Sequence, residues 1–378
     1  MIYFDNAATT RILPEVIEEM NKSFEEHWGN PSSTHRQGQK SRAAIEKSRE
    51  TIAKLLQVDA KEIIFTSGGA ESNNLILKGA LKVNESKGKH LITSKIEHST
   101  VLRTCQALEK EGYEVTYIDV TERGVVDLEQ LKNAIRNDTV VISVMYVNNE
   151  TGVVQPIDEI AKMIEGKGIV LHTDAIQGVG KEMILPKKQG IHALSAAAHK
   201  FYGPKGTGFL YLDQNYMIEK EITGGSQERN RRSGTENVHG IVGMAKALEI
   251  VYSDMEEEQA KEKEMQIYLE EALKKEICNI KINCGNSRRI SSVVNITLED
   301  CNVQTLMVAL DMEGICVSGG SACMSGAMET SHVLKAMGAS EEDLKSSIRV
   351  SIGRYNTKDE IDIFIQKLKE IVARERAK

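Results

Sequence analysis

Lys200 stands in the run AAAHKFYGPKGTG (196–208), after a strand-like stretch and before a glycine-rich turn. Lysines ordinarily end at the surface, and a loop lysine is the plainer reading. Its neighbours His199, Phe201 and Tyr202 argue otherwise. Partial desolvation there would favour the neutral amine that forms a Schiff base with a carbonyl. Asp174 in LHTDAIQGVGK (171–181) closes a strand-like run. It reads either as a helix N-cap or as a carboxylate paired with the ring nitrogen of a cofactor. Pyridoxal phosphate needs such a partner, because a protonated pyridinium is an electron sink.

Three further strings carry candidate chemistry. FTSGGAESNN (65–74) is a strand, a Gly-Gly turn and a helix start, where backbone amides can cup an anion. Taken alone it reads as a simple turn. The chain has neither GxxxxGK[ST] nor a GxGxxG opening a β-α-β unit, so nucleotide readings lack their signature. SGGSACMSGAMETSH (318–332) is too small and polar for a core element, and it reads as a mobile loop exposing a reactive thiol on Cys323. Cys105, Cys278, Cys284, Cys301 and Cys316 sit in apolar contexts and read as packing. His98, in SKIEHST, reads as a hydrogen-bonded turn histidine, as do His27, His35 and His332.

The elements that would position these residues alternate. Apolar runs suited to buried strands are 63–66, 90–94, 140–147, 168–173 and 208–212, with helical patterns at 41–56 and 72–83 between them. Such alternation predicts an α/β fold with a mostly parallel sheet, ligands gathering at its glycine-rich turns. After about residue 235 the texture changes to a charged helical stretch (237–277), the strand-like run 289–298, a helix near 303–312 and a last helix over 357–376. The expected division is a large domain over 1–235, its body from about residue 10, and a smaller α+β domain over 236–378 that carries the cysteine loop and packs with the N-terminal segment.

The 378 residues are 40% hydrophobic and 27% charged, with a net charge of −7. A mildly acidic chain without a basic block is not expected to bind nucleic acid directly. No apolar run reaches the roughly 18 residues of a membrane helix. MIYFDNAATT lacks a basic flank followed by an apolar stretch, so the expected location is cytoplasmic. The six cysteines include no CxxC pair, and neither a metal site nor a disulfide framework is expected.

In order and spacing, FDNAATT (4–10), WGNPSSTH (28–35), VNNETG, TDAIQ, HKFYGPKG, RRSGT, SACMSG and RVSIGRYNT (349–357) resemble the cysteine desulfurases of the iron–sulfur-cluster and nitrogen-fixation type, over nearly the whole chain. These are pyridoxal 5′-phosphate enzymes of the class V aminotransferase fold, which is fold type I of the pyridoxal-phosphate transferases. The resemblance implies that Lys200 binds the cofactor and serves as the base at the substrate α-carbon. It implies that His98 lies over the ring, Asp174 pairs with the ring nitrogen and Gln177 meets the ring hydroxyl. Asn149 and Arg349 would hold the carboxylate of L-cysteine. Gly69, Ala70, His199 and Thr235 would take the phosphate, with Thr235 reaching the neighbouring subunit's cofactor in a homodimer. Cys323 would accept the sulfur as a persulfide and pass it to a protein acceptor.

Two positions depart from the family pattern. Ala70 stands where a Thr is usual and Ala197 where a Ser is usual, so two phosphate donors are missing and weaker cofactor retention is expected. A selenocysteine lyase on the same fold is the nearest alternative, and SACMSG favours the desulfurase. A scaffold without catalysis is the other. It has no need of Lys200, Asp174, Gln177, His98, Arg349 and Cys323 together.

Overall fold

The computed structural model describes residues 1–319 and 330–377. Cys323 and most of its glycine-rich surroundings lie outside the described residues. Seven strands form the main sheet, in the order Ile63–Thr66, Gly208–Leu212, Ala193–Ala197, Val170–Asp174, Thr139–Ser143, His90–Ser94, Glu114–Ile118. The last five run parallel, and Gly208–Leu212 is antiparallel to both neighbours. Six of the seven are buried at every position, which is why they read as unbroken apolar runs rather than alternating ones.

Helices cover both faces of this sheet. The helix Gly69–Val83 starts three residues before the expected 72–83. Gly68 makes that possible: its φ of 153° is open in practice only to glycine, and it turns the chain from strand directly into helix. The strand expected over 140–147 is Thr139–Ser143. Beyond it the chain bends toward a turn where Asn148 Oδ1 accepts from the Glu150 and Thr151 amides at 2.9 and 3.0 Å. The charged stretch is two helices, Val238–Ser253 and Met255–Glu276.

Two hydrophobic cores bear on the site. One, around the large sheet, includes Val16, Ile52, Phe65, Ile142 and Phe209, together with Met244 and Leu248 from the helix Val238–Ser253. The other is built on the antiparallel sheet Ser347–Ser351, Val293–Leu298, Ile280–Asn283. Phe4 belongs to it, in edge-to-face contact with Phe364 at 5.5 Å between ring centroids. Ile2–Tyr3 pairs in parallel with Ile315–Cys316. Burying one such phenylalanine is worth about 1.5–3 kcal/mol, so the N-terminal strand is firmly seated. Cys105 and Cys301 are buried as expected, but Cys278 is exposed, because it falls in the connector after the helix Met255–Glu276 rather than on its packed face.

Candidate active site

The chemistry-bearing residues collect at the carboxyl ends of the parallel strands, where open α/β sheets bind ligands. Asp174 is the last residue of its strand and is 3% exposed. Its carboxylate accepts from Asn73 Nδ2 at 2.7 Å and from the Ile176 amide at 3.1 Å. Gln177 follows in the next turn, its Nε2 donating to Ala7 O at 2.7 Å and its Oε1 accepting from Lys181 Nζ at 2.8 Å. Lys200 ends the short turn Ala198–Lys200 after the strand Ala193–Ala197, and its Nζ donates to Ala7 O at 2.6 Å and Ala8 O at 2.7 Å. His98 follows the strand His90–Ser94 and caps the helix Ser99–Lys110. Its Nδ1 accepts from the Thr100 amide at 3.2 Å, so in the neutral ring Nε2 carries the proton.

These side chains border one cavity of about 550 Å³, shared with Gly69, Ala70, Asn149, Ala197, His199 and Arg349. Gly69 and Ala70 open the helix Gly69–Val83, whose first amides have no helical acceptor and form the positive end of the helix dipole. A Cβ on Gly69 would sit 2.0 Å from Ile176 Cδ1, so any side chain there would displace Ile176. Burial, with Lys200 and Lys205 nearby, pushes the His199 imidazole down to about 4. At neutral pH His199 therefore acts as a neutral hydrogen-bonding group. Its Nδ1 lies 3.2 Å from Thr9 Oγ1.

Arg349 comes from the other core, in the strand Ser347–Ser351, and is 1% exposed. It donates from Nη1 to Asn149 O and from Nη2 to Asp5 Oδ1, both at 2.8 Å. Its Nε is buried and has no partner among the described residues. A buried orphan donor on a cationic side chain at a cavity wall suits an anionic ligand.

Glu97, beside His98, is fully buried. Its Oε1 accepts from Ser94 Oγ at 2.6 Å and the Met145 amide at 2.9 Å. Desolvation pushes the carboxyl up to about 8, so it is largely protonated at neutral pH.

Thr235 is placed apart from this group. It borders a separate cavity of about 130 Å³ with Glu228, Arg232 and Asn237, and Gly206 and Ser67 line both. Glu228 is gripped by Arg49 through two hydrogen bonds of 2.7 and 2.9 Å, which fixes the segment leading to Thr235. Sequence reasoning missed Asn73, Asp5 and the Ala7 and Ala8 carbonyls. Asp5 and the two alanines lie in FDNAATT, which has no strand end or glycine turn to mark it locally as part of a site. His35 Nδ1 accepts from the Gly38 amide at the start of its helix, and His332 Nε2 meets Glu97 O at 2.9 Å, so both are hydrogen-bonded structural histidines.

A cofactor with an aldehyde, a basic ring nitrogen and a phosphate needs an amine, a buried carboxylate and an anion cup. Lys200, Asp174 and the start of the helix Gly69–Val83 supply that set in one cavity, so the residues fit pyridoxal phosphate.

Comparison with known proteins agrees with this reading. The family model described as Aminotransferase class-V matches residues 2–364. A protein of Dictyoglomus turgidum (strain DSM 6724 / Z-1310), named Cysteine desulfurase IscS, is 44% identical over 99% of this chain and 95% of its own length. A protein of Methanosarcina thermophila with the same name is also 44% identical, over 99% of this chain and 93% of its own. The solved structure of a NifS-like protein superposes with a TM-score of 0.93 at 37% identity, covering 98% of this chain and 99% of that one. That of SspA in complex with cysteine gives 0.83 at 36% identity, covering 94% and 100%. The chain belongs to the aminotransferase class-V family, whose cofactor is pyridoxal 5′-phosphate.

Proposed function

We propose that this enzyme is a cysteine desulfurase: it converts L-cysteine to L-alanine and passes the sulfur to Cys323 as a persulfide, for iron–sulfur cluster assembly or thiolation. The observation that carries the reading is the convergence of Lys200, Asp174, Gln177, His98 and Arg349 on one cavity. When bound, pyridoxal phosphate supplies an electron sink conjugated to the substrate α-carbon. Asp174 holds the ring nitrogen protonated, and Asn73 holds Asp174. Arg349 and Asn149 hold the substrate carboxylate. Lys200 moves the proton at the α-carbon, with His98 assisting. The Cys323 thiolate attacks the substrate sulfur. The carbon–sulfur bond breaks and its electron pair goes to the substrate carbon, which is protonated to give alanine.

Gly69, Ala70 and His199 take the phosphate. Thr235, set apart in its own cavity, is read as serving the neighbouring subunit's cofactor in a homodimer. The persulfide is discharged to a protein acceptor in the cytoplasm, a reading in keeping with the absence, among the described residues, of any helix long and apolar enough to cross a membrane. The chain divides into a large cofactor domain and a smaller one. The packing of the helix Val238–Ser253 in the first core supports reading the division nearer residue 254 than 235. The test is alanine production from L-cysteine by the loaded protein. The account expects it in the parent and not in Lys200→Ala, and alanine production by Lys200→Ala would refute it.

A further inference from the structure

Lys181 lies outside the set of residues assigned above, yet it contacts that set directly. It is partly buried and borders a second cavity, of about 730 Å³, with Glu182, Glu262 and Arg288. From there its Nζ donates to Gln177 Oε1 at 2.8 Å. The other end of the Gln177 amide donates to Ala7 O at 2.7 Å. An ammonium has only donors and a carbonyl oxygen only accepts. Turning the amide over would set its NH2 against the ammonium and its oxygen against the Ala7 carbonyl, so both contacts would be lost at once.

We infer that Lys181 is a positioning residue for the cofactor: it locks the Gln177 amide with its N–H face toward the cavity and strengthens that donor. This rests on the proposed placement of the cofactor's ring oxygen against Gln177. One Gln177 N–H serves Ala7 O, and the second is the donor for the ligand. A cation on the amide oxygen polarises the whole amide and makes its N–H a better donor. Burial pushes the Lys181 amine down to about 8, against the opposing field of Glu262 from the helix Met255–Glu276 and with that of Arg349, so it still carries a proton at neutral pH. Lys181 therefore links the cofactor cavity, through Gln177, to the second cavity, which Glu262 also lines.

The test is a double-mutant cycle on protein loaded with pyridoxal phosphate: parent, Lys181→Met, Gln177→Leu and the double variant. Two quantities are read: the absorption maximum of the bound cofactor and its rate of loss on dilution. Lys181→Met is expected to shift the band as Gln177→Leu does and to speed cofactor loss about tenfold, the loss of one charge-assisted hydrogen bond. Adding Lys181→Met to Gln177→Leu is expected to change neither quantity further. Lys181→Arg, which keeps a cationic donor, is expected to keep the parental band. Lys181→Leu, which likewise has no donor, replaces the methionine variant in the cycle if the latter does not fold. An unshifted band in Lys181→Met, or effects that add in the double variant, would overturn the inference. A parent that takes up no pyridoxal phosphate would overturn the cofactor reading and this inference with it.

Discussion

Asn73 Nδ2 donates to Asp174 Oδ2 at 2.7 Å, and both residues are buried. The contact spans two elements: Asn73 lies inside the helix Gly69–Val83 and Asp174 ends a strand. One helix thus presents its first amides to one end of the cavity and steadies the carboxylate at the other. Replacing Asn73 by Leu removes a hydrogen bond to a charged group, roughly 1.5–3 kcal/mol. The expected outcome is a cofactor dissociation constant raised about tenfold to a hundredfold, read by fluorescence titration. Unchanged affinity would show that Asp174 needs no such support.

Arg349 is held from two sides, by Asp5 and by the Asn149 carbonyl, so its guanidinium is set before any substrate arrives. In Arg349→Gln the KM for L-cysteine should rise roughly a hundredfold, with cofactor absorbance kept. Steady-state kinetics over a range of L-cysteine concentrations decides this. A parental KM would remove Arg349 from substrate binding.

Ala70 and Ala197 both border the cofactor cavity, Ala70 in the first turn of the helix Gly69–Val83 and Ala197 at the end of its strand. Each can be given back a hydroxyl. Ala197→Ser and Ala70→Thr should each slow cofactor loss about tenfold during dialysis, the effect of one added hydrogen bond to a charged group. If neither does, the parent's phosphate contacts are already sufficient.

Glu97 gives a pH dependence with a defined sign. Its folded-state carboxyl is raised from 4.5 to about 8 by burial. Between those values the folded protein holds a proton that the unfolded chain has released, so its contribution is full below 4.5 and is lost as pH rises through about 8. In Glu97→Gln that loss is absent. Chemical denaturation from pH 5 to 8 should show the variant gaining on the parent by at most about 1.4 kcal/mol per pH unit. Parallel curves would mean that Glu97 is ionised in the folded state.

Lys200 and Asp174 stand out as candidates in the sequence because each lies at or just after the end of a strand, where such sheets hold ligands, whereas Gln177 carries no such mark and His98 by itself reads as a turn histidine. Asn73 was not legible there, because a polar residue inside a helix carries no local mark of what it faces. The edge strand Glu114–Ile118 was missed for the opposite reason: it is only partly buried and lacks an apolar run. In sequence the helix Val238–Ser253 adjoins the charged stretch that follows it. Its many buried apolar residues pack against the helices Pro14–Glu26 and Arg36–Leu56 in the first core. The seating of Phe4 against Phe364 joins residues 360 apart in the chain, a relationship no local pattern encodes. The expectation of a mobile loop at Cys323 lies outside the described residues.

The central claim is that Lys200 chemistry delivers sulfur to Cys323. Its most direct test is the intact mass of the loaded protein after anaerobic incubation with L-cysteine, followed by peptide mapping. The account predicts one added sulfur on the peptide carrying Cys323, absent in Lys200→Ala and in Cys323→Ser. A cofactor-loaded protein that gains no sulfur, or gains it equally in Cys323→Ser, would contradict it.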